Sequence, residues 1–235
     1  MAALRDQRKI HGARISEVVV DFFLQERSVE RALDVVELCF KMSQAGVRHV
    51  SKRESDAAVA ELNERFKEHG VGYQFESGEI IRVDSQFLHA EAVKPVLEIL
   101  RDKNFQGANE EFLKAHEHYR HGRHKECLVD ALKAFESTMK SICSVRGWPT
   151  QPTDAAKILI KTCMDNGLFP AYFDAQFSSM RSLLESGIPT VRNKDAAHGQ
   201  GVALVSVPEY LARYALNLTA TTILFMVEAH QQATK

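Results

Sequence analysis

The sequence has no C-x-x-C pair and no metal-finger spacing: its four cysteines, Cys39, Cys127, Cys143 and Cys163, are scattered. That excludes a zinc module, and because three of them fall in apolar helical stripes, reduced core thiols are expected. A long hydrophobic run is missing too. The longest late one, Ala215 to Val227, is broken by Asn217 and several threonines and falls short of the roughly 20 residues that span a bilayer. The first residues carry Arg5, Asp6, Arg8, Lys9 and Arg14 without the apolar stretch of a secretory signal, so a cytoplasmic protein with no membrane partner is expected. Excess charge of one sign is lacking as well: 30 Lys and Arg face 31 Asp and Glu, for a net charge of −1. Bulk electrostatics therefore excludes a protein that coats nucleic acid, and any phosphate contact must come from a local patch. There is no G-x-S-x-G, no cysteine with a histidine in a recognisable nucleophile motif and no phosphate-cradling glycine loop, which removes the common hydrolase and nucleotide-triphosphatase readings. Internal repeats and low-complexity segments are also absent.

What remains is an ordinary globular composition, 45% hydrophobic and 26% charged over 235 residues, enough for two modest domains. The periodicity is mainly α-helical. Val18 to Leu24 form an apolar cluster, and Ser28 caps an amphipathic stretch of Val29, Leu33, Val36, Leu38 and Phe40 that ends near Gly46. From Glu54 the positions Ala58, Leu62, Phe66 and His69 keep helical spacing up to Gly70. Alternation then takes over, with Tyr73, Phe75, a Ser77-Gly78 turn, Ile81 and Val83 predicting one small β-hairpin over about 71–84. A helix is expected from Ser85 to about Asn104, with Pro95 as the objection to an unbroken run. Turn residues and lost periodicity at 104–109 place the domain junction there, giving an N-terminal region of residues 1–104 and a helical domain of residues 105–235. In the second part, Leu128, Ala131, Leu132, Phe135, Met139, Ile142 and Cys143 make the strongest helical stripe in the chain. Helices are also expected over Phe112–Tyr119, from Thr153 to Gly167, over Phe173–Leu184 and after Pro208. The last is apolar on two faces, with Tyr214, Ala215, Leu218, Thr222 and Phe225 on one and Leu216, Ile223 and Val227 on the other. Such a helix wants two partners, the bundle and either a second copy of the chain or more of the same core.

One segment packs a guanidinium, an amide and an imidazole between two helices: Val191-Arg192-Asn193-Lys194-Asp195-Ala196-Ala197-His198-Gly199-Gln200-Gly201. On a continuous helix a six-residue step leaves two side chains about 120° apart. Convergence of Arg192 and His198 thus needs an irregular turn, which Pro189, Gly199 and Gly201 permit. The arginine fork suits a phosphate and the imidazole exchanges protons near neutral pH. The alternative is a plain loop in which Arg192 caps a helix and His198 bonds to the backbone.

Arg192, Asn193 and His198 resemble the R-polar-x4-His motif of HEPN domains, helical bundles that include metal-independent endoribonucleases. R-N-K-D-A-A-H-G is also similar to the C-terminal domain of abortive-infection proteins of prokaryotic phage defence, as is the helix around Lys133 to Lys140. The bare pattern of Arg, four to six residues and then His recurs at Arg5/His11 and Arg82/His89; Asn193, the His-Gly step and a place between the last two helices set this copy apart. The resemblance covers about residues 107–235, with the N-terminal part as an accessory or sensing region that a regulatory partner or trigger would engage. It implies a C-terminal HEPN-like helical bundle, no cofactor and no metal, RNA as substrate, a homodimer, and toxin-like cleavage by 2′-hydroxyl attack. Arg192, Asn193 and His198 would be catalytic, with Glu136 and Lys194 supporting. Two other readings stay open: an inactive HEPN-like module that binds protein or nucleotide, and an RNA-binding scaffold.

Lys133, Glu136 and Lys140 are equally well spaced for surface ion pairs. His116 to Lys125 lacks H-E-x-x-H spacing and is broken by Gly122, so it reads as a solvated helix corner, or as a basic patch in which Arg120, Arg123 and Lys125 guide RNA. The hairpin resembles the wing of a winged-helix module, but residues 1–104 carry slightly more acid than base, which argues against DNA binding.

Overall fold

The computed structural model describes residues 15–44, 51–186 and 207–233 and falls into two compact units, Met1–His69 and Gly70–Lys235. It is mainly α-helical with one two-stranded sheet among the described residues.

The first unit holds α1 (Ile15–Gln25), α2 (Val29–Gln44) and α3 (Lys52–Glu68). The Ser28 hydroxyl accepts the Arg31 N–H at 3.4 Å and opens α2. Helix α3 starts at Lys52, ahead of the expected Glu54, because Ser51 and Glu54 form a reciprocal capping box: Ser51 N–H donates to Glu54 Oε2 at 2.9 Å and Glu54 N–H to Ser51 Oγ at 3.3 Å. Among its described residues only Leu33 and Ser55 are buried, while Val20, Leu24 and Leu38 lie exposed.

The second unit begins with the hairpin of β1 (Tyr73–Glu76) and β2 (Glu79–Arg82), paired antiparallel from Tyr73 opposite Arg82 to Glu76 opposite Glu79. Ser77 and Gly78 both take positive φ, 53° and 89°, as a tight two-residue hairpin turn requires. Ser85 caps the short α4 (Gln86–Leu88), a π-helical stretch follows at His89–Val93, and α5 runs over Lys94–Ile99. This answers the Pro95 objection. The Lys94 N–H reaches back to the His89 carbonyl, the run widens by one residue, and Pro95 falls in the first turn of α5, where a missing N–H does no harm.

A 3-10 turn at Lys103–Phe105 leads directly into α6 (Gln106–Arg120), so Gly107 and Asn109 are helical. The sequence places the junction at 104–109; the compact units divide at His69 and Gly70, and Ile81, Val96, Leu97 and Leu100 share one buried core with the helices that follow. Those are α7 (His124–Arg146), α8 (Ala156–Asp165), α9 (Asp174–Ser186) and α10 (Glu209–Gln232).

Helix α7 is the centre of the bundle, contacting α6, α8, α9 and α10. Its stripe of Leu128, Ala131, Phe135, Met139 and Ile142 is fully enclosed, and each large side chain among them contributes about 1.5–3 kcal/mol by burial. Gly147, at φ 69°, ends it in the left-handed conformation that only glycine takes without strain. On the α9 side, Phe135 stacks at 6.2 Å on Phe177, which meets Phe169 at 4.6 Å. Three cysteines are buried and Cys39 is exposed.

Candidate functional site

The motif residues Arg192, Asn193, Lys194 and His198 lie outside the described residues, in the segment between α9 and α10. What the structure supplies is the frame that holds both ends of that segment. Leu184, near the end of α9, is fully buried in the core, and Val207, just ahead of α10, is 8% exposed. The His124 Nδ1–H donates to the Val207 carbonyl at 2.9 Å, and Arg82 pairs with Glu209, in the first turn of α10, at 2.7 Å. Arg82 also contacts Asp84 at 3.1 Å and lies over the Tyr119 ring, whose hydroxyl donates to Asp84 at 2.5 Å. The return of the chain into α10 is therefore pinned by the hairpin and by the corner between α6 and α7.

That corner differs from a solvated one. Gly122 does break the helix, at φ 69°, but His116 and Arg120 are 3% and 5% exposed. They share the inward face of α6 with Phe112, Ala115 and Tyr119, a three- and four-residue spacing that the histidine-rich wording conceals. Arg123, which pairs with Glu117 at 2.8 Å, is exposed and Lys125 half-buried, so these two are the accessible cations of the proposed RNA patch while Arg120 is enclosed.

Glu136 has a concrete partner. Its Oε1 accepts the Ala156 N–H at 2.8 Å, capping the positive end of α8. The ion pairs expected around it do not form: Lys133 donates to Asp130 at 2.7 Å and Lys140 to the Pro152 carbonyl at 2.9 Å. Each lysine has a better acceptor than the partly buried, already engaged Glu136.

Sequence reasoning missed the carboxylate that matters most at this face. Asp130 is 3% exposed on α7 and receives both Lys133 and His118, whose Nε2 stands 3.1 Å from its Oδ2. Burial, with Arg123 nearby, outweighs Asp130 and the neighbouring glutamates and lowers the His118 pKa. Two turns of α6 away, burial raises the pKa of Glu111, which hydrogen-bonds Ser137. The only signal in the sequence was an acidic residue inside the apolar stripe of α7. Among the described residues no three His, Cys, Asp or Glu side chains gather as metal ligands, and no helix is long and apolar enough to cross a membrane.

The two faces of α10 separate as its stripes predict except at Ala215, which is fully buried in the core and not on the Tyr214 face. Leu216, Ile223 and Val227 are core. Tyr214, Leu218, Thr222 and Phe225 line an apolar groove of about 620 Å³ against Phe177 and Met180 of α9, with Tyr214 still 57% exposed.

Comparison with known families assigns both parts. Residues 6–98 match AbiJ N-terminal domain 4, and residues 106–230 match the HEPN-like domain Abi_C. No curated protein and no solved structure matches the chain. With more than half its length in that second match, and the Arg192 to His198 segment inside it, the chain belongs to the HEPN-like family of abortive-infection proteins.

Proposed function

We propose that the protein is a metal-independent endoribonuclease of abortive-infection defence, acting through Arg192, Asn193 and His198. The observation that carries this reading is the R-N-x4-His motif lying within the HEPN-like match, in the segment between α9 and α10. In the reaction the RNA 2′-hydroxyl attacks the adjacent phosphorus, His198 transfers protons and Arg192 stabilises charge building on the phosphoryl oxygens. Asn193 orients the phosphate or the guanidinium, and Lys194 adds local positive charge. The products carry a cyclic phosphate and a free 5′-hydroxyl. One imidazole does not readily serve as base and acid in the same step, so a two-fold pair of chains supplies two; the apolar groove along α9 and α10 is the surface we assign to that pairing. Arg123 and Lys125 guide RNA, and the N-terminal region receives the trigger.

The test is incubation of wild-type and His198→Ala protein with total cellular RNA in EDTA, followed by end-group analysis. The expected outcome is cyclic phosphate ends from wild type and a loss of at least about 100-fold in the variant. Equal cleavage by both would remove His198 from the mechanism. Salt-dependent RNA binding without cleavage by either would support a scaffold instead.

A further inference from the structure

We draw no further inference here: the strongest candidate, the exposed apolar surface of α1 and α2 at Val20, Phe22, Phe23, Leu24, Leu38 and Met42, carries nothing because nothing in the structure shows what covers it.

Discussion

The two units carry apolar residues in plenty but treat them differently. In the second, α6, α8, α9 and α10 enclose α7 so completely that Leu128, Phe135 and Met139 have no exposed surface. In the first, α2 contacts α1 and α3, yet Leu33 is the only apolar side chain buried among its described residues, and Phe22, Phe23, Leu24 and Leu38 face outward. Amphipathic periodicity makes helices in both; enclosure makes a stable domain in only one. Three short helices with one buried leucine cannot offset a backbone ordering cost of about 1–2 kcal/mol per residue. The largest expected effect follows. Residues 70–235 expressed alone should unfold in a single cooperative urea transition close to that of the full chain, and residues 1–69 alone should show none. A cooperative transition in the short fragment would break the contrast.

Point substitutions sharpen it. Phe135→Ala removes a ring with no exposed surface, stacked on Phe177, and should cost about 3–5 kcal/mol in urea denaturation. Leu38→Ala, at 58% exposure, should stay within about 0.5 kcal/mol. Comparable losses at both positions would mean that Leu38 is covered in solution.

Acid should act on the second unit. His89 and His116 titrate well below the ordinary 6.5, at about 4 and about 3, chiefly through burial, and burial also lowers the pKa of His118 and His230. The unfolded chain therefore binds more protons than the folded one below pH 6.5. Stability is flat with respect to these groups above that value and falls as pH drops toward 4, by about 1.4 kcal/mol per pH unit for each fully shifted histidine. His116→Phe should reduce the slope of the unfolding free energy between pH 6 and about 4.5; an unaltered slope would mean that the ring is solvated in the folded state.

How much of this was legible beforehand depended on whether the cause was local. The hairpin, the cap at Ser28, the α7 stripe and most of the two faces of α10 are written in period and turn chemistry, and they form where the pattern puts them, whereas the capping box at Ser51 starts α3 ahead of the expected Glu54. Tertiary pairings were not legible. Nothing near Glu136 in sequence says that its carboxylate caps α8, nor does anything near Asp130 foretell His118 and Lys133. Arg82 and His89 share the bare Arg-to-His pattern that carried little weight in the sequence; the structure places both on the wall of one cavity, with His89 opening a π-helical stretch that periodicity cannot register. Arg192, Asn193, Lys194 and His198 lie outside the described residues, so their reading still rests on motif and family.

The smallest effects compare one helix cap from each unit. Ser51→Ala breaks the capping box of α3, and Glu136→Ala removes the acceptor at the start of α8; each loss is worth about 1 kcal/mol to its own helix. Where that energy is felt should differ. Helix α8 packs on α7 and shares the enclosed core through Leu159 and Cys163, so Glu136→Ala should lower the global unfolding free energy by close to the full amount, and Glu136→Gln, which keeps an acceptor, by much less. Helix α3 has Ser55 as its one buried residue, so Ser51→Ala should speed amide hydrogen exchange in the first turn of α3 and leave the global midpoint in place. If instead Ser51→Ala moves the global midpoint as far as Glu136→Ala does, the units unfold as one. The exposed leucines and phenylalanines of the first unit would then belong to a shared cooperative structure.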